Sequence, residues 1–264
     1  MDSGLTGKTA LVTGGGSGIG RGIALALAAE GVDVAIVSRN PDPDTIQAIE
    51  AYGVRALRLV ADVSEEDQAV AMIRQTIDAF GHLDLYVNNA AWAWHQPVTQ
   101  ITSEAWFATI NTNLSACMWA CREVCKHMVQ RGQGAILIVG STAQFNRGYG
   151  EAAYHISKTG LKVLMTQLAL EMAPHGVRVN LLVPGHYRTK LTSGLSAEKE
   201  KIMIQNIPAR RFGQPEECGP AAVLLLSDTL SSYTTGTELV VDGGLHLRPI
   251  RLISDEEILA LNSS

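Results

Sequence analysis

In the run Tyr154-His155-Ile156-Ser157-Lys158 a phenol and an ammonium stand four residues apart. On a helix that spacing puts both on one face, one turn from each other. A free phenol titrates near about pH 10, too high for a base at neutral pH. A neighbouring cation favours the phenolate and lowers that value. The pair thus predicts proton transfer at Tyr154, although alone it would equally suit a solvated surface contact.

A second chemical signal lies near the N-terminus, in Thr13-Gly14-Gly15-Gly16-Ser17-Gly18-Ile19-Gly20, where Ala24, Leu25 and Leu27 then begin a helix. Glycines between a strand and a helix let the backbone approach a pyrophosphate, to which the helix N-terminus presents N–H donors. The strict G-x-G-x-x-G spacing is absent, and T-G-x-x-x-G-x-G stands in its place. The next strand ends in Ser38-Arg39-Asn40, with no carboxylate to receive a ribose 2′-hydroxyl. Arg39 can fork onto a 2′-phosphate, and Ser38 and Asn40 can donate to it. This favours NADP(H) as the cofactor, with NAD(H) second.

Elements in alternation must position these groups. Short β-branched runs are expected as strands at Thr9–Val12, Val34–Val37, Ala56–Val60, Leu83–Val87, Ile136–Val139, Val177–Val183 and Glu238–Val241. Helices are expected near 19–30, 43–52, 65–80, 103–130, 152–173 and 215–227, the last opened by Pro215-Glu216-Glu217, a first turn that suits the helix dipole. The less regular stretch 189–208 is expected to be a mobile loop or lid. The pattern predicts seven parallel strands in a doubly wound α/β fold, with ligands at the carboxyl ends of the strands.

The glycine turn resembles that of the short-chain dehydrogenase/reductase family, and the resemblance runs through most of the chain. Asn88-Asn89-Ala90 is similar to the family's N-N-A-G, with Ala91 in place of the glycine, and Pro184-Gly185-His186-Tyr187-Arg188-Thr189 to its P-G-x-x-x-T. A serine thirteen residues before the Y-x-x-x-K tyrosine is Ser141 here, and Asn113 matches the asparagine that holds a relay water.

The resemblance implies a single-domain Rossmann fold in strand order 3-2-1-4-5-6-7, with helices on both faces. It implies that Ser141 binds the substrate oxygen, that Tyr154 transfers the proton, and that Lys158 binds the nicotinamide ribose. The dinucleotide would be held by Gly14, Ser17, Gly18, Ile19, Gly20, Ser38, Arg39, Asn40, Asp62, Val63, Asn89, Ala90, Tyr154, Lys158, Pro184, Gly185 and Thr189. Of these, Asp62 would take the adenine amino group, and Pro184, Gly185 and Thr189 the carboxamide. His186 is less usual at its position than an aliphatic residue, so it either touches substrate or packs on the nicotinamide.

The chain of 264 residues carries 46% hydrophobic and 18% charged residues, with a formal charge of -5, which suits one large core and no polyanion partner. No apolar run approaches the roughly 20 residues that span a bilayer, and a cytoplasmic protein with reduced thiols is expected. Cys117, Cys121 and Cys125 recur every four residues as a helical stripe, and no metal site is expected. Trp94, His95, Gln144, Asn146, Tyr149 and His186 could line a polar pocket for a sugar, polyol or keto acid. Reduction of 3-oxoacyl thioesters is the second activity considered, though His175 stands before Gly176 where carrier-protein reductases often have arginine. A non-catalytic dinucleotide sensor is the third reading, and such a protein would normally lack Tyr154 or Lys158. Residues 1–245 are expected to form the catalytic domain. An extension, 246–264, has a capping-box start at Ser254-Asp255-Glu256-Glu257 and is expected to form a short helix over 254–261 at an interface of a homotetramer.

Overall fold

The computed structural model describes residues 2–40, 42–189 and 192–247. The strands are β1 (Thr9–Thr13), β2 (Asp33–Ser38), β3 (Ala56–Val60), β4 (Leu85–Asn88), β5 (Gly134–Val139), β6 (Val177–Pro184) and β7 (Glu238–Val241). They pair in parallel in the order β3-β2-β1-β4-β5-β6-β7, the order that the resemblance implies. The expected helix at 254–261 lies outside the described residues.

Alternate residues of each central strand feed two separate cores, which is why the strands read as continuous apolar runs. Leu11, Val37, Tyr86, Ile136 and Val179 pack with α3 (Glu66–Phe80), α5 (Ala116–Arg131) and α6 (Ala152–Met172) on one face. Ala10, Val12, Ile36, Val87 and Leu137 pack with α1 (Gly18–Ala29), α2 (Pro43–Glu50) and α8 (Gly219–Leu226) on the other. Cys117, Cys121 and Cys125 belong to the first core, free and buried.

Three expectations are corrected. The single helix over 103–130 is α4 (Ser103–Ile110) and α5 joined by a π-turn at Asn111–Ser115, in which the Ala116 N–H reaches back five residues to Asn111 O. The stretch 189–208 contains a helix, α7 (Ala197–Gln205). Ser196 caps it by accepting from Lys199 N, Glu198 and Glu200 complement its dipole, and Met203 and Ile204 pack on Ile207, Phe212 and Leu245. Thirdly, β4 begins at Leu85 rather than Leu83; just before it Asp84 N donates to Thr9 O at 3.1 Å and the Asp84 carboxylate accepts from Thr9 N at 2.9 Å. Near 215–227 the chain enters as a tight 3-10 turn, Pro215–Cys218, before α8; Glu217 accepts from Gln214 N at 2.6 Å.

Candidate active site

The loops after β1, β2, β4, β5 and β6 converge at the carboxyl edge of the sheet. After β1 the chain turns on Gly14, whose N–H donates to Val37 O and whose φ of +64° an L side chain rarely adopts. A Cβ on Gly20 would strike Gly14 O and the Asn89 amide, so α1 can start this close to β4 only through glycine. Asn89 fixes that approach by donating Nδ2 to Thr13 O at 2.9 Å, while Thr13 Oγ1 accepts from the N–H groups of Asn89 and Ala90. Ser17 sits at the N-cap of α1, exposed, and its side chain makes no cap bond. Ile19 is partly buried against the core behind the turn. Thr189, after β6, approaches the same turn: its Cγ2 lies 3.2 Å from where a Cβ on Gly18 would be. Pro184 closes β6, and Gly185 N donates to Val241 O.

At the end of β2, Ser38 Oγ is buried and has no hydrogen-bond partner among the described residues. Arg39 and Asn40 beside it are exposed. The Arg39 guanidinium stands 5.7 Å over the Trp92 ring and 4.0 Å from Asp62 Oδ2. Ser64 donates its N–H and its hydroxyl to Asp62 Oδ1 at 3.0 and 2.7 Å, which turns the other carboxylate oxygen toward Arg39. Val63 has its side chain in the core and can offer only backbone. The glycine cradle, the orphaned Ser38 hydroxyl and the adjacent guanidinium fit a phosphorylated dinucleotide.

On the β5 side, Ser141 follows the strand in extended conformation and its Oγ accepts from Ala143 N at 3.1 Å. Its hydroxyl proton is then free to donate to the Tyr154 phenol, and that bond works to lower the phenol's pKa. Burial works the other way and dominates, so Tyr154 titrates above its ordinary value. Lys158 is not among the groups that set this balance in the chain alone. Lys158 Nζ lies 5.8 Å from the centroid of the Tyr154 ring and donates instead to Val139 O at 3.0 Å. Burial brings the ammonium itself down to about 8. The chain's own groups therefore hold Tyr154 as a neutral acid, the form that gives a proton to a carbonyl oxygen.

Asn113 is in the π-turn and almost fully buried. Its Oδ1 accepts from Trp92 N at 2.7 Å, and its Nδ2 donates to Trp92 O at 2.9 Å and to Ser157 Oγ at 3.0 Å. The amide is thus committed to protein partners, and a relay water would have to use the backbone. Ser157 passes the chain of contacts on by donating to Tyr154 O at 2.7 Å.

Of the residues expected to line a polar pocket, His186 borders a cavity, Gln144 and Tyr149 stand apart from it, and Trp94 and His95 are exposed. Gln144 is buried and donates to the Glu238 carboxylate, and Tyr149 is 91% exposed. His186 lies edge-on to Phe212 at 6.1 Å, and burial lowers its pKa. A cavity of about 170 Å³ opens beside it, lined by His186, Tyr187, Arg211 and Asp242 among others. Two side chains of the rim were not singled out from sequence. His155 clamps the loop after β5, with Nδ1 against Ala143 O and Nε2 accepting from Gly148 N, both at 2.7 Å. Glu151 precedes α6, with its carboxylate 3.2 Å from His95 Nδ1 and 3.1 Å from His155 Nε2. The four-residue spacing of Glu151 and His155 was the available signal.

A family profile described as enoyl-(acyl carrier protein) reductase matches residues 14–246. The chain is 34% identical to glucose 1-dehydrogenase 2 of Bacillus subtilis, over 94% of this chain and 98% of that protein. It is 37% identical to short chain dehydrogenase/reductase astE of Aspergillus oryzae, over 92% and 96%. An Agrobacterium tumefaciens structure with bound NADP, assigned as a 2-deoxy-d-gluconate 3-dehydrogenase, superposes with a TM-score of 0.87 at 31% identity, covering 94% of this chain and 99% of that one.

Proposed function

The chain belongs to the short-chain dehydrogenase/reductase family, and from that premise we propose that it is an NADP(H)-dependent oxidoreductase interconverting a secondary alcohol and a ketone on a small polar substrate. The observation that carries this reading is the approach of Ser141, Tyr154 and buried Lys158 at the carboxyl edge of the sheet, with Lys158 Nζ 5.8 Å from the centroid of the Tyr154 ring.

In this reading Gly14, Ser17, Gly18, Ile19 and Gly20 hold the pyrophosphate at the start of α1, and Ser38, Arg39 and Asn40 hold the 2′-phosphate. Asp62 and Val63 hold the adenine, Asn89 and Ala90 line the middle, and Tyr154 and Lys158 bind the nicotinamide ribose. Pro184, Gly185 and Thr189 bind the carboxamide. When bound, the dinucleotide supplies or receives the hydride at the substrate carbon.

The chain does the rest. Ser141 donates a hydrogen bond to the substrate oxygen and so stabilises negative charge as it builds there. Tyr154 gives that oxygen its hydroxyl proton in reduction and takes it back in oxidation. Lys158 keeps a positive charge beside the phenol, which limits the cost of the transient phenolate. Asn113 acts as a positioning residue through Trp92 and Ser157. Loss of nicotinamide absorbance with NADPH and a panel of ketoses, keto acids and acetoacetyl thioesters tests the reading, and no turnover of any of them would overturn it.

We also propose a cytoplasmic homotetramer. No helix among the described residues is long and apolar enough to cross a membrane. Ile156, Val163 and Leu170 recur every seven residues along α6 and are 49%, 65% and 72% exposed, a stripe that suits burial against a second copy. Residues 246–264 would join such an interface. Sedimentation of the full chain, and of a chain ending at residue 247, tests both statements.

A further inference from the structure

The Glu151 carboxylate occupies the junction of two rim segments. Gln96 N donates to Gly150 O at 2.8 Å and ties the loop after β4 to the loop after β5, and His95 reaches across that seam to Glu151. A Cβ on Gly148 would strike Glu151 Oε2, so the 148 turn closes tightly over the carboxylate. His155, which would otherwise be free to swing, is held from both ring nitrogens by backbone. The charge of Glu151 is felt at both Tyr154 and His186, which come from α6 and from the loop after β6. Glu151 is the N-cap of α6, three residues before Tyr154, so its carboxylate stands one helical turn from the phenol.

The nearby cations do not offset it. Arg147 folds back on the carbonyls of Ala143, Gln144 and Asn146. Arg188 pairs with Glu200, Arg211 with Glu217 through two nitrogens, and Lys158 is bound to Val139 O. Among the described residues, a substrate carboxylate would find a like charge and these cations already engaged. A hydroxylated chain would find a carboxylate with two acceptor oxygens and an imidazole, which together suit neighbouring hydroxyl groups.

We propose that Glu151, with His95, is the substrate-recognition subsite of this enzyme, and that it selects neutral polyhydroxylated substrates, ketoses and polyols, over keto acids. The proposal rests on the oxidoreductase reading above and narrows its substrate class. The test compares NADPH-driven reduction of D-fructose and of 5-keto-D-gluconate, two six-carbon ketones that differ in carrying a carboxylate. Wild-type kcat/KM is expected to favour the neutral ketose by about tenfold or more, the scale of a like-charge repulsion at a half-exposed site.

Glu151→Gln keeps the size and one acceptor oxygen and removes the charge, so the preference should fall by about tenfold, with higher salt reducing it in the wild type alone. His95→Lys sets a cation against Glu151 without touching the start of α6, and it should relax the same preference even if Glu151→Gln folds poorly. A wild type that favours the keto acid, that reduces neither sugar while reducing other ketones, or whose preference is unmoved in His95→Lys would overturn the proposal. Tyr154→Phe separates this from the reading beneath it: if that variant retains turnover of whichever substrate is used, the proton-transfer reading itself fails.

Discussion

Asn113 binds both backbone polar groups of Trp92, accepting from its N–H at 2.7 Å and donating to its carbonyl at 2.9 Å. One buried amide thereby sets the path of the loop after β4, whose next residues include His95, and through Ser157 it braces the helix that carries Tyr154. Asn113→Ala should leave both Trp92 backbone groups without their side-chain partner and remove the bond to Ser157 Oγ, at a cost of about 2–4 kcal/mol. Both a lower melting temperature and a lower kcat are expected. A variant with unchanged stability would show that the loop does not depend on this amide.

Tyr154→Phe removes the hydroxyl that donates the proton in the proposed reaction. Turnover should fall roughly a thousandfold, by analogy with other positioned acids, while dinucleotide binding persists. Retention of more than about a tenth of the wild-type rate would be far outside what loss of a general acid allows.

Arg39→Asp would put a carboxylate where the guanidinium stands over Trp92 and beside the unpartnered Ser38 hydroxyl. Losing a charge-assisted pair costs about 1.5–3 kcal/mol, so the preference for NADP(H) over NAD(H) should fall at least tenfold. Dissociation constants for both dinucleotides, measured by fluorescence titration, read this directly. A wild type that already binds NAD(H) more tightly would refute the assignment.

The pH profile should report Lys158. Its ammonium is brought down to about 8 by burial, and Tyr154 is pushed above its ordinary value. In ketone reduction the phenol is protonated across the neutral range, so kcat/KM should be level there and decline above about pH 8 as Lys158 loses its charge. A profile that rises through pH 8 in the reductive direction would contradict this order of titration.

The strands and the glycine turn were legible because both faces of the sheet are covered, which leaves runs such as Ala10–Val12 and Ile136–Val139 apolar at every position. Other features depend on partners distant in sequence. The π-turn at Asn111–Ser115 interrupts a stretch that is helical in pattern throughout, and what marks it is the set of bonds Asn113 makes to Trp92 and Ser157, 21 and 44 residues away. The seven-residue stretch Gly148–Tyr154 contains a carboxylate whose importance comes from His95, on another loop. The pair Tyr154 and Lys158 was readable as chemistry, yet the balance of its charges was not, because desolvation is set by the fold around it.

Lys158 also has a meaning for the folding equilibrium. An ammonium that titrates near 8 when buried and near 10.5 when exposed opposes folding, because the folded chain holds its proton less tightly. That penalty, on the order of 3 kcal/mol, is fully present below about pH 8 and is relieved as pH rises from there toward the unfolded value. Lys158→Met, which fills the same volume without charge, is therefore expected to raise the melting temperature at neutral pH while abolishing turnover. The chain would be most durable in the form that cannot work, so a selection for thermostability alone would be expected to discard this lysine.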